Sequence, residues 1–231
     1  MLHGSEIVWN DGLEDEKSPL LDLRSIKNLV KQGEGQQLEF KMKVKFPEKI
    51  IKEMVAFANT DGGILLVGVG DEGQVQGVKF VDEEQYLLEK AIEKYCFPVF
   101  SYTNYRVEID SQRAILVYHV LPSIDKPHLV QLDDDSQPKC YVRIKDRTVQ
   151  ASKEMRQILR RENEEGVRFS FGNSEKWLME YLHENQQITL ALFAEKQSIP
   201  LWLASRKLVL LVLARVLRIL PGEMHDIYTL R

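Results

Sequence analysis

The chain has 231 residues, 44% of them apolar and 29% charged, with a net charge of −4. That is an ordinary globular composition with ample length for a packed core, and it is not the strongly basic footprint of a generic nucleic-acid binder. Residues 1–21 carry five acids and one base, residues 22–173 carry 24 and 23, and residues 174–231 carry six and seven, so the deficit sits in the first segment and only local patches can argue for a polyanion partner.

Residues 1–21 read as a flexible acidic arm without the apolar stretch of a secretion signal, so a cytoplasmic setting is expected. From Asp22, DLRSIKNLVKQGEG spaces Leu23, Ile26, Leu29 and Val30 along one helical face, which Gly33 or Gly35 stops. QQLEFKMKVKF alternates, with Leu38, Phe40 and Met42 on one side and Glu39, Lys41, Lys43 and Lys45 on the other, as in a half-buried strand. Pro47 suits a first helical position, and PEKIIKEMVAFAN follows as a helix. GILLVGVG is a continuous apolar run, expected as a central strand, and QVQGVKF after the DEG turn predicts its hairpin partner. Asp82 is placed to cap the helix DEEQYLLEKAIEKYCF, which Pro98 closes. FSYTNYRVEI, AILVYHVL and CYVRIKD read as strands, and Ser152 caps SKEMRQILRREN.

Residues 162–173 look like a linker. Beyond it the pattern becomes three helices and a terminal hairpin, the outline of a winged helix-turn-helix over 174–231. The most apolar stretch, residues 201–220, is interrupted by Arg206, Lys207, Arg215 and Arg218, so no membrane span is expected. Cys96 and Cys140 form no metal-spaced pair, and the five histidines are scattered.

Gly68, Gly70 and Gly73 have the G-x-G-x-x-G spacing of a dinucleotide site. Such a site needs a helix straight after the glycines, whose N-terminus holds the pyrophosphate. QVQGVKF alternates like a strand instead, so no cofactor-binding residues are assigned. Gly70 and Gly73 fit turn geometry, and Gly68 fits close approach of another backbone or a ligand.

GEGQQLEFK (33–41), AFANTDGGILLVGVGDEGQVQG (56–77), KPHLV (126–130) and YVRIKDRTVQAS (141–152) together resemble the Schlafen AlbA-like domain family over about residues 22–161. The resemblance implies an α+β fold on a mixed sheet, here followed by the small winged helix, and a nucleic-acid-binding transcriptional regulator taking DNA or RNA. An older family label, divergent ATP-binding domain, finds no phosphate-binding mechanism in this sequence. Some animal Schlafen proteins similar in this domain are metal-dependent ribonucleases with three acids. Residue by residue, these fall on Glu34, Glu39 and Asp71, which as oxygen donors would take Mg²⁺ or Mn²⁺. Those nucleases carry a duplicated domain and a zinc site, whereas this chain has one copy and two cysteines.

Each candidate also has a plainer reading. Lys41, Lys43 and Lys45 beside Glu39 fit a phosphate-contacting strip or a solvated face of alternating charge. Asp71 fits a ligand or a turn residue next to glycine. Asn59 and Thr60 read as a helix C-cap and turn. Arg143 and Lys145 alternate with Val142 and Ile144, so both are expected to project from a strand toward phosphate or solvent. In the third C-terminal helix, Trp202, Ser205, Arg206 and Lys207 are the candidates for base contact. Leu208–Leu213 is apolar all round, which a homodimer contact would explain. The expectation is a dimeric nucleic-acid-binding regulator, with a metal-dependent endoribonuclease and a non-catalytic assembly module as alternatives.

Overall fold

A computed structural model describes residues 21–164, 166–167 and 169–231. The acidic arm of the sequence reading lies outside these except for Leu21, whose N–H donates to the Tyr105 hydroxyl at 2.8 Å. The fold is α+β. Its elements stack as helix, mixed sheet, helices, antiparallel sheet, helix.

The mixed sheet has the order β1-β2-β5-β4, formed by β1 (Leu38–Lys41), β2 (Gly63–Val67), β5 (Arg113–Val120) and β4 (Tyr102–Asp110). β1 runs parallel to β2, and the other pairs are antiparallel. β2 is buried along its whole length because both its edges and both its faces are taken. Ile64 and Leu66 pack with Ile26 and Val30 of α1 (Leu23–Val30), while Leu65 and Val67 pack with α2 (Pro47–Asn59) and α3 (Val81–Tyr95). Each large apolar side chain fully buried in this way contributes about 2 kcal/mol.

The same occupancy explains why QVQGVKF forms no strand. With β1 on one side of β2 and β5 on the other, a hairpin partner has no free edge to pair with. Only the single bridges Val69–Val75 and Val78–Ala114 remain. The chain turns back through Gly73 (φ +80°), and its Gly77 backbone crosses so close to Gly68 (φ +107°) that a Cβ on Gly68 would lie 2.7 Å from Gly77 Cα. Of the G-x-G-x-x-G glycines, Gly68 thus serves a backbone crossing and Gly73 the turn that leads to it.

The second sheet, in the order β3-β6-β7-β8, contains β3 (Cys96–Phe97), β6 (Leu129–Val130), β7 (Lys139–Ile144) and β8 (Arg147–Gln150). Tyr141 and Arg143 face α2, whereas Cys140, Val142 and Val149 pack with Leu159 of α4 (Lys153–Arg161). Local capping follows the sequence in two places: Asp22 accepts from Ser25 N–H, and Ser152 accepts from Met155 N–H at 3.0 Å. Asp82 is not the cap of α3; it lies inside the first turn, behind Phe80.

Asn59 departs from its expected capping role. It is 1% exposed, and Thr60 closes α2 instead. Its Oδ1 accepts from His128 N–H at 2.8 Å, and its Nδ2 donates to the His128 and Tyr141 carbonyls, both at 2.9 Å. One side chain therefore ties the end of α2 to β7 and to the loop before β6.

The remaining elements are α5 (Asn173–Asn185), β9 (Gln187–Thr189), α6 (Leu190–Gln197), α7 (Leu201–Leu213), β10 (Leu217–Leu220) and β11 (Ile227–Leu230). The strands pair in the order β10-β11-β9, and Leu178, Leu182, Phe193, Leu208, Leu211 and Tyr228 form a separate core. α7 also packs against α4, where Val209 is 1% exposed. Its apolar girth is thus covered from two sides within one chain. This removes the reason for invoking a dimer contact there.

Removing a buried group that satisfies three backbone partners leaves them unpaired. Asn59→Ala should lower the unfolding free energy by about 3 kcal/mol in urea denaturation, whereas a mere cap would cost about 1 kcal/mol.

Candidate nucleic-acid interface

β1 places alternate residues on opposite faces of the mixed sheet. Leu38 and Phe40 go to the α1 side, so Glu39 and Lys41 point toward α2 and the second sheet. This inverts the expected solvated face, for Glu39 is 5% exposed. A buried carboxylate requires a compensating charge, and the second sheet supplies it. Arg143 Nη2 lies 2.6 Å from Glu39 Oε2, and Lys41 Nζ pairs with Oε1 of the same carboxylate.

Arg143, expected to project toward phosphate, is itself only 3% exposed. Its Nε and Nη2 donate to the Gly35 carbonyl at 3.1 and 2.9 Å, and Nη1 donates to the Thr148 hydroxyl at 3.2 Å. The guanidinium also lies over the Phe57 ring, 5.2 Å from its centroid. Every donor it carries in this contact set is turned inward. Arg143 is a bridge between the two sheets and is unavailable to a ligand.

Glu34 sits beside this cluster and accepts from Phe40 N–H at 2.9 Å. Burial, reinforced by the neighbouring Glu39 charge, holds its carboxyl above the usual range. Glu53 of α2 is the third acid here. Its buried Oε2 forms an ion pair with Lys41 Nζ at 3.2 Å. Burial and the Glu39 charge push its pKa up to about 7, while Lys41 and Arg143 pull the other way.

The metal-ligand set Glu34, Glu39 and Asp71 is not assembled by this geometry. Both Glu39 oxygens are engaged by cations, and Asp71 is exposed in the turn after β2. Among the described residues, no three His, Cys, Asp or Glu side chains are grouped to hold a metal ion. The residues present do not fit Mg²⁺ or Mn²⁺, and no hydrolytic step follows from them.

The basic side chains separate into two groups. Lys41 is spent on Glu39 and Glu53. Beyond the strand, Val44 (4% exposed) inserts into the core and its N–H donates to Glu84 of α3, which turns Lys43 and Lys45 outward. Lys49 follows on the first turns of α2. Lys43, Lys45 and Lys49 are exposed and have no ion-pair partner among the described residues. Lys145 is also exposed, in the tight turn between β7 and β8, where its φ is +55° and its N–H donates to Gln36 Oε1 at 2.6 Å.

Of the four candidates for base contact near the C-terminus, two are engaged elsewhere. Ser205 is 7% exposed and donates to Glu154 of α4 at 2.6 Å. Lys207 pairs with Glu175 of α5. Arg206 and Trp202 are exposed.

Sequence reasoning missed the linking roles of Gln36, Gln37 and Asn59. Gln36 Nε2 donates to the Arg143 carbonyl at 3.1 Å, and Gln37 Nε2 to the Asp61 carbonyl at 2.8 Å. The only sequence signal for them is their place in GEGQQLEF and AFANTDGG.

These features define an α+β domain whose two sheets are joined by a buried Arg–Glu pair, with free lysines at the end of β1. The family Schlafen, AlbA_2 matches residues 34–152, just over half of the chain, and the chain belongs to that family. Among solved structures, the N-terminal domain of a RecG-related protein from Nitrosomonas europaea is 19% identical, with a TM-score of 0.41, over 54% of this chain and 88% of that one. The DIP2311 protein from Corynebacterium diphtheriae is 15% identical, with a TM-score of 0.39, over 63% of this chain and 30% of that one. Neither likeness bears on activity. No curated protein matches the chain. No helix among the described residues is long and apolar enough to cross a membrane.

The raised Glu53 carboxyl has a sign-specific consequence. Between about pH 4.5, its ordinary value, and about 7 the folded chain keeps a proton that the unfolded chain has released. Stability should therefore fall as pH rises through that window and level off above it. Glu53→Gln should flatten the slope in urea titrations, and an unchanged slope would show that the proton is not held at Glu53.

Proposed function

We propose that the chain is a nucleic-acid-binding member of its family, and that Lys43, Lys45 and Lys49 hold phosphates of DNA or RNA at the end of β1. The observation that carries this reading is the contrast among the lysines. Lys41 is neutralised by two acids, whereas the next lysines along the chain are held outward by buried Val44 and lack carboxylate partners among the described residues. Free ammonium groups in a row suit phosphate contacts, which supply most of sequence-independent affinity. Lys145 is exposed as well, but it sits beside Gln36 before the start of β1 and is not part of this row.

We further read residues 22–161 and 174–231 as two units joined by 162–173, the second with the helix and strand order of a winged helix-turn-helix. In that motif α7 would read the major groove. Its packing on α4 and the Ser205–Glu154 hydrogen bond argue for a docked, buttressing role instead. On this reading Glu34 and Glu39 are structural acids rather than metal ligands, and no second copy of the chain is required. A transcriptional regulator is the setting in which such a binding module fits.

The test is binding of labelled oligonucleotides at low salt. The triple replacement of Lys43, Lys45 and Lys49 by Ala should weaken binding and reduce the slope of log K against log salt by about 2, at about 0.7 per phosphate contact on a single strand. Ser205→Ala should bind like the parent. A triple variant with unaltered affinity and slope would place the phosphate site elsewhere.

A further inference from the structure

Phe46 stands out among the exposed apolar side chains of the basic edge. It is 47% exposed, directly after Lys45 and before Pro47, the first residue of α2. Two ammonium groups flank its ring: Lys45 Nζ is 5.3 Å and Lys49 Nζ 5.0 Å from the centroid. One turn further along α2, Lys52 Nζ lies 5.8 Å from the Tyr141 ring centroid. Two cation–ring groups thus lie along the first turns of α2. The acids of the stretch are mostly turned away, since Glu84 accepts from Val44 N–H and Glu53 faces Lys41, which leaves half-buried Glu48 as the remaining local acid.

Resting on the reading of this edge as a phosphate-binding surface, we infer that its ligand is a single-stranded nucleic acid with one base stacked on the Phe46 ring. The chemistry divides the work between side chains. A base has a flat π-face that gains by covering an exposed ring, whatever its identity. The neighbouring phosphates then take the ammonium groups, which are held beside the ring by cation–π attraction of about 0.5–1 kcal/mol at an exposed site and are easily redirected. A duplex offers no such gain, because its bases are already stacked and paired. It could use the lysines but not Phe46. The C-terminal unit does not compete strongly for this role: α7 packs on α4, and Ser205 and Lys207 are spent within the chain, leaving Trp202 and Arg206 as its exposed candidates.

The experiment compares labelled oligothymidylate, oligouridylate and an oligothymidylate–oligoadenylate duplex with the full chain and its variants. Phe46→Ala should lose about tenfold on the single strands and nothing on the duplex, while Phe46→Trp keeps single-strand binding. In Phe46→Trp the single strands should also quench tryptophan emission beyond any change in the parent, as stacking requires. Comparing the two single strands shows whether the sugar matters. If Phe46→Ala binds single strands like the parent while the lysine variants are weakened, the stacking inference is overturned and the basic edge stands. If the parent binds no oligonucleotide at low salt, both readings fall.

Discussion

The Arg143–Glu39 pair is the constraint on which the rest of the architecture depends. Placing a guanidinium between two sheets is costly unless every donor finds an acceptor and the charge is neutralised. Here the acceptors are the Gly35 carbonyl, the Thr148 hydroxyl and the Glu39 carboxylate. Satisfying Arg143 fixes the GEG turn, the face that β1 turns inward and the register of β7 against α2. It also draws Lys41 inward to complete the Glu39 site. Positive charge is thus absorbed along β1 and becomes available only once β1 has ended, where buried Val44 anchors the chain between exposed Lys43 and Lys45. The position of the free lysines follows from where the buried cluster stops.

Asn59 is the neutral counterpart of that pair. Three hydrogen bonds to backbone groups of His128 and Tyr141 hold the loop before β6 and the strand β7 to the end of α2. Together the two side chains fix α2 on the second sheet. The N-terminal end of α2, where Phe46, Pro47 and Lys49 lie, is therefore set on a rigid frame. A surface that must present a ring and several ammonium groups in a defined row benefits from that rigidity, because less order is lost on binding.

Much of the fold was legible in the sequence. The period of Leu23, Ile26 and Val30, the Pro47 start and the Ser152 cap all carry local physics that tertiary structure did not override. The apolar run of β2 correctly signalled a central strand. The errors have a common origin in information that lies far away along the chain. Alternating Glu39 and Lys41 look the same whether they face water or a buried guanidinium, and the partner Arg143 belongs to a different sheet. QVQGVKF has the period of a strand, but pairing needs a free edge, and β2 has none. The apolar girth of α7 was visible; that α4 covers it was not. Of the candidate site, Lys43 and Lys45 remain where the pattern put them, at the surface, while Arg143, Ser205 and Lys207 are engaged within the chain.

In the proposed function, polyanion contact falls at the end of β1 and the start of α2, with α7 taking no part. Amide chemical shifts recorded while a short single strand is titrated into the labelled protein locate that contact. Perturbation should concentrate at Lys43, Lys45, Phe46 and Lys49 and leave Ser205, Arg206 and Val209 unmoved. Shifts confined to α7, with the β1–α2 edge silent, would contradict it.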